Sequence, residues 1–172
     1  MARLFFALWP DSDIRNKLAA LGEELPGNRE KLVPKQNLHI TMSFLGNIDK
    51  SLINPLLSGA AKIRAKPFSL ILDQIGWWKR PKVIWVASTD TPEALNSLVS
   101  QVNSQVNACG LSGEERSYQP HLTLVRKAMK PVRGMEFDPI HWNISDFCLI
   151  ESVTHARGAE YKIIQRWPIS SN

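Results

Sequence analysis

Apolar and polar positions follow two rhythms along this chain, and the switches between them mark its elements. Leu4 to Trp9 is a short aromatic-rich run stopped by Pro10, the pattern of a buried strand. Ile14, Leu18, Leu21 and Leu25 recur at helical spacing, and Pro26-Gly27 closes that helix. Gly27 to Gln36 is polar and reads as a loop. His39 to Leu45 has strand character and ends at Gly46-Asn47. A second helix carries Leu52, Ile53, Leu56, Leu57, Ala60 and Ile63 on its inner face, capped by Asp49 or Ser51, with Pro55 leaving its start open. Phe68 to Ile75 and Val83 to Ala87 pair around a turn over Gly76 to Pro81. Thr91-Pro92 opens a third helix whose stripe is Leu95, Leu98, Val99, Val102, Val106 and Cys109, stopped by Gly110. Leu111 to Gln119 is a polar loop, His121 to Val125 a strand, and Phe147–Val153 and Tyr161–Trp167 two last strands.

This order lacks strict βαβ alternation and predicts an α+β fold with largely antiparallel sheets. No low-complexity linker divides residues 1–172, so a single domain is expected, with room for two small lobes on a shared core. At 44% hydrophobic and 22% charged the chain is of ordinary globular composition, which excludes disordered and collagen-like classes. Its net charge of +5 favours polyanionic partners such as nucleic acid, although a merely basic soluble protein has the same surplus. Cys109 and Cys148 lack metal-site spacing and suggest reduced structural thiols in a cytoplasmic protein. The N-terminal run is too short for a signal peptide, and no stretch reaches membrane-spanning length, so no membrane partner is expected.

One tetrapeptide occurs twice. Asn37-Leu38-His39-Ile40-Thr41-Met42 and Gln119-Pro120-His121-Leu122-Thr123-Leu124 share His, apolar, Thr, apolar, at positions separated by nearly half the chain. On a strand, residues i and i+2 point the same way, about 6 to 7 Å apart. His39 with Thr41, and His121 with Thr123, then line a groove while their apolar neighbours pack inward. The alternative is two half-buried strands that carry His and Thr outward by accident. Two imidazoles and two hydroxyls suit phosphoryl chemistry: one imidazole takes a proton, the other gives one, and the hydroxyls hold non-bridging oxygens. Carboxylates are missing from both motifs, and only His155 stands as a third zinc ligand, so a metal site is not expected.

At these residues the chain resembles the 2H phosphoesterases, and within them the bacterial RNA 2′,3′-cyclic phosphodiesterases, also called 2′-5′ RNA ligases. The resemblance runs from Arg3-Leu4-Phe5-Phe6-Ala7-Leu8 through both motifs, including Ser43-Phe44-Leu45-Gly46 and Val125-Arg126. It ends with Leu149-Ile150-Glu151-Ser152 and Arg166-Trp167-Pro168. It implies a bilobal fold of two antiparallel sheets flanked by helices, around a central cleft with pseudo-twofold symmetry. It also implies hydrolysis of RNA 2′,3′-cyclic phosphate ends, or of small cyclic nucleotides, to 2′-phosphomonoesters, with no metal or nucleotide cofactor and no obligate protein partner. By the same resemblance His39 is the proton donor, His121 the proton acceptor, and Thr41 and Thr123 bind phosphate; composition alone leaves donor and acceptor interchangeable. Reversible 2′-5′ ligation and a non-catalytic RNA-binding module are the competing readings.

Arg126 matches the family's arginine after the second motif, but strict alternation turns it away from His121 unless the strand bends or ends near Val125. Phe44 meets the same parity conflict, and core filling is favoured over base stacking. Tyr118 belongs to the cleft or its rim. Trp77 and Trp78, beside Lys79, Arg80 and Lys82, form either a packed hairpin or a stacking platform with a basic rim, hairpin packing being favoured. His141 and His155 fall outside both motifs and are assigned to the surface or to capping.

Overall fold

The computed structural model describes residues 1–26, 32–113 and 117–169. Residues 27–31 and 114–116, which belong to the two expected polar loops, lie outside the described residues, Gly27 of the expected helix stop among them.

Strand β1 (Ala2–Leu8) leads into helix α1 (Ser12–Glu23), whose first turn is capped by the Asp11 carboxylate accepting from the Ile14 N–H at 2.9 Å. Strand β2 (Ile40–Ile48) is followed by a short 3₁₀ turn, capped by Asp49 accepting from the Ser51 N–H, and then by α2 (Ile53–Ala60). Next come β3 (Phe68–Leu72), β4 (Gln74–Trp78), β5 (Val83–Ala87) and α3 (Glu93–Ala108). The chain closes with β6 (Leu122–Arg126), β7 (Ile140–Ile144), β8 (Asp146–His155) and β9 (Gly158–Pro168).

All the pairings are antiparallel. Seven strands form one sheet in the order β4-β5-β6-β2-β1-β8-β9, and β3 pairs with β7 in a second, two-stranded sheet. The α+β class with two antiparallel sheets and flanking helices is thus as expected. The large sheet has a seam: β2 and β6 share a single registered pair, Ile40 with Leu122. On one side of the seam stand β4, β5 and β6, and on the other β2, β1, β8 and β9.

One apolar cluster joins the helices to one face of this sheet, drawing in Leu4, Phe6, Leu18, Ile40, Leu98 and Leu122. The opposite face of β1 and β8 carries a smaller cluster of Phe5, Ala7, Cys148 and Ile150, against which Trp9 and Tyr161 pack. β1 is therefore buried on both faces, which explains its unbroken apolar run.

Three expectations are corrected. Phe68 to Ile75 is not one strand: it divides at Asp73, β3 leaving for the small sheet while β4 pairs with β5. Gly46 does not end β2 but sits inside it at φ +71°, beside a register shift against β1. Residues 126–146, where the pattern predicts no element, hold β7, a strand of alternating burial that pairs with β3. Between β4 and β5, Gly76 faces Trp85, and a methyl group there would overlap the six-membered ring of that indole. Gly76→Ala is expected to lower stability by about 1–3 kcal/mol by forcing Trp85 aside, read as a lower urea midpoint with a changed near-UV signal. An unchanged midpoint would mean the indole has room to move.

Candidate active site

The seam brings the two motifs together. Because Ile40 and Leu122 are partners in an antiparallel pair, the register sets His39 across from Thr123 and Thr41 across from His121. The pair is also the local twofold of the site, since each partner is the residue between a His and a Thr. His39, Thr41, His121, Thr123 and Arg126 line one pocket of about 170 Å³, with Asn37 and Trp78 also on its wall. No carboxylate lines this pocket. Among the described residues no group of three or more His, Cys, Asp or Glu is arranged to hold a metal ion.

The histidines are held in matching ways. Nδ1 of His39 lies 2.6 Å from the Asn37 carbonyl, and Nδ1 of His121 lies 2.8 Å from the Gln119 carbonyl, each two residues upstream. A carbonyl only accepts, so each Nδ1 carries a proton and each neutral ring presents its Nε2 lone pair. For His39 that nitrogen meets the Thr41 hydroxyl at 3.0 Å. Each ring is therefore left with Nε2 as the nitrogen that could exchange a proton.

Their surroundings differ. His39 stacks on Trp9 at 5.7 Å between ring centres, with Phe5 at 4.9 Å and the edge of Tyr161 at 5.2 Å. This aromatic bed buries the imidazole and is the main cause of a pKa lowered to about 4. The Asn37 hydrogen bond opposes the shift, and the charges of Arg126, Arg15 and His121 add to it. His121 instead meets Trp78 edge to face at 4.5 Å, and Trp78 leans on Trp85 at 5.1 Å.

Arg126 reaches the pocket because β6 is not regular. Val125 pairs with Ile84 and Thr123 with Trp85, so Leu124 is an extra residue and the strand bulges there. The bulge resets the alternation and turns Arg126, opposite Val83, onto the face of Thr123. β2 repeats the device: Ser43 pairs with Phe6 and Thr41 with Ala7, so Met42 is extra. Phe44 then shares the face of Phe5, 42% exposed with the Arg3 guanidinium 5.0 Å from its ring centre, and is not core filling.

Tyr118 donates from its hydroxyl to the Thr41 carbonyl at 3.1 Å, and burial holds its pKa well above the ordinary value. It lies in the cleft, on the wall of a groove next to the pocket. The two tryptophans part company: Trp77 packs on the core and donates to the Ala128 carbonyl at 3.4 Å, while Trp78 enters the cleft. Of the remaining histidines, His155 pairs with Glu160 at 2.8 Å and His141 is exposed on β7.

Sequence patterns passed over Trp9, Asn37 and Arg15. Arg15 donates to the carbonyls of Lys35, Leu38 and Pro10 and lies 5.0 Å from the Trp9 ring centre, which links α1 to the approach of the first motif. An arginine on the first turns of a helix carries no signal of its own; only the fold brings it under Trp9.

A family model described as LigT-like phosphoesterase matches residues 8–85, which include the first motif. The chain is 31% identical over 172 residues to an RNA 2′,3′-cyclic phosphodiesterase of Escherichia coli strain K12, covering 98% of this chain and 97% of that one. A protein of the same description from Methanocaldococcus jannaschii is 27% identical over 182 residues, covering 96% and 99%. Among solved structures, apo E. coli LigT matches with a TM-score of 0.87 at 28% identity, covering 99% of this chain and 98% of that one. E. coli LigT complexed with 3′-AMP matches at 0.85 and 30% identity, covering 99% of each chain.

Arg15→Met keeps a stem over Trp9 but removes the charge and its three carbonyl contacts. The His39 titration midpoint, followed by NMR of the ring protons, is expected to rise from about 4 towards 6.5. An unmoved midpoint would show that Arg15 adds nothing to the effect of burial and of the other neighbouring charges.

Proposed function

The chain belongs to the LigT-like family of RNA 2′,3′-cyclic phosphodiesterases, and on that premise we propose that it opens RNA 2′,3′-cyclic phosphate ends to 2′-phosphomonoesters by metal-independent acid–base catalysis between His39 and His121. The observation that carries this reading is a single pocket into which two histidines, each with its tautomer fixed by an upstream carbonyl, present Nε2 beside two threonines and one arginine. The lining offers nitrogens, an amide and hydroxyls but no carboxylate, which supports chemistry run by protons alone.

In the proposed step His121 Nε2 takes a proton from water as the water oxygen bonds to phosphorus. The bond from phosphorus to the 3′ oxygen breaks, and His39 gives that oxygen a proton from Nε2. Thr41 and Thr123 donate to the non-bridging oxygens, and Arg126 offsets the charge that builds on them. His39 is neutral in the free site at pH 7 because its pKa is about 4. An anionic phosphate bound beside the ring favours its protonated form and works against the burial and the neighbouring charges that lower this value, so substrate brings conditions in which His39 holds a proton. The same ring opening, with a ribose 5′-hydroxyl in place of water as the nucleophile, is 2′-5′ ligation and uses the same pair. A non-catalytic binding module would not need both Nε2 atoms aimed into the pocket.

Incubation with adenosine 2′,3′-cyclic phosphate, and with a short RNA ending in cyclic phosphate, is expected to yield 2′-phosphates in the presence of EDTA. His39→Ala or His121→Ala should each lower turnover by about 10²–10⁴-fold. Turnover that collapses with chelator or survives either substitution would defeat the mechanism, and 3′-phosphate products would mean a reversed substrate orientation and reopen the donor and acceptor roles. The rate should be bell-shaped in pH, with apparent values that belong to the coupled pair. Adding adenosine 2′-monophosphate should move the His39 midpoint upward; a fixed midpoint would transfer the donor role to His121.

A further inference from the structure

The likeness of the two motifs stops at the residue whose carbonyl holds each ring. Asn37 and Gln119 occupy the same place, two residues before the histidine, but Gln119 is exposed and Asn37 is buried. Among the described residues Asn37 and Ser43 are the only buried polar ones, and burial penalises an amide that lacks a partner. The partner comes from the far end of the chain: Asn37 Nδ2 donates to the Ala159 carbonyl at 2.8 Å, across 122 residues of sequence. Because a carbonyl only accepts, it is the nitrogen of the amide that faces Ala159. Ala159 lies at the start of β9, paired with Thr154 beside the turn from β8. Two residues on, Tyr161 sets its ring edge-on to His39 at 5.2 Å. One stretch of β9 thus touches the first motif twice. From the other side Arg15 donates to the carbonyls of Lys35 and Leu38, which bracket Asn37. The backbone bonds of the 3₁₀ turn Lys35–Asn37 engage the carbonyls of Pro34 and Lys35 and leave that of Asn37 to His39 alone.

We propose that the Asn37 side chain is a positioning residue: by clamping the turn before the first motif to β9, it aims the Asn37 carbonyl at His39 and keeps that ring in its Nδ1–H tautomer. The catalytic part of this inference rests on the proposed function, in which His39 passes a proton through Nε2. The amide itself takes no part in the proton transfer. Without the clamp the carbonyl loses its fixed direction, and the ring is free to place its proton on Nε2 or to turn. Fewer molecules then hold Nε2 where the leaving oxygen needs it. Phosphate binding through Thr41, Thr123 and Arg126 does not depend on the clamp, so the loss falls on turnover rather than on binding.

Asn37→Leu, similar in shape but without the amide, tests this. The ¹⁵N shifts of the two His39 ring nitrogens, read at neutral pH, report the tautomer. The wild type is expected to show Nδ1–H alone and the variant a mixture of both forms. The ratio is read per folded molecule, so it is insensitive to how much of the variant folds. With adenosine 2′,3′-cyclic phosphate, kcat should fall by about 10- to 100-fold, the scale of loss when a reacting group is misplaced, while KM changes by less than about threefold. A His39 that stays wholly Nδ1–H in the variant would overturn the proposal even if turnover falls, and so would a loss confined to KM. A measurement on the wild type needs no variant: the Asn37 side-chain amide protons should exchange with solvent more slowly than those of exposed asparagines, and equal rates would overturn the clamp. A wild type inactive on cyclic phosphates would remove the proposed function, while the tautomer and exchange measurements would still decide the clamp.

Discussion

The backbone pairing of Ile40 with Leu122 is the contact on which the site depends, because it is the single place where the two halves of the large sheet meet in register. Slip one of these strands by a single residue and it would turn its His and Thr towards the core and its apolar residues towards the cleft. Both partners are fully buried in the main apolar cluster, so the core resists such a slip. The same pair sets His39 across from Thr123 and His121 across from Thr41. Two imidazoles and two hydroxyls are thereby placed by one strand contact and the period of a β-strand. The upstream carbonyls of Asn37 and Gln119 then orient the two rings.

A site built about a local twofold would treat both histidines alike if its contents were also symmetric, and they are not. Position five beyond the first His is Phe44, and five beyond the second is Arg126; matching bulges at Met42 and Leu124 turn both onto the cleft face. His39 lies in a bed of Phe5, Trp9 and Tyr161, while His121 meets the edge of Trp78. Equal geometry with unequal surroundings sets His39 in an aromatic bed that disfavours its charged form and His121 against the edge of one tryptophan. Assignment of different roles to two identical motifs starts from that difference.

The elements and the motif pair were legible in the sequence because period and repeat are local properties of the chain. The bulges were not. Leu124 and Val125 are both apolar and both buried, and a run of two apolar residues gives no sign that one is supernumerary; the conflict over Arg126 and Phe44 was the visible trace of that hidden insertion. The division at Asp73 was likewise silent, since a strand run carries no mark of which sheet each part will join. Asn37 contributes to the pocket through a backbone carbonyl that every residue possesses, and Arg15 through contacts with three carbonyls from two separate segments of the chain. Such contributions depend on where the chain returns and leave no residue-type signature.

An open seven-stranded sheet ends in exposed edges, and the one formed by β9 shows how this protein keeps from growing there. Most of β9 is solvent-exposed, and its side chains include Glu160, Lys162, Gln165 and Arg166, with Pro168 at its end. A second copy adding antiparallel to that edge would bring rows of charge together and would find no N–H to pair at the proline. The edge is thus unsuited to templating a further strand, and self-association into extended aggregates through β9 is disfavoured by its own composition.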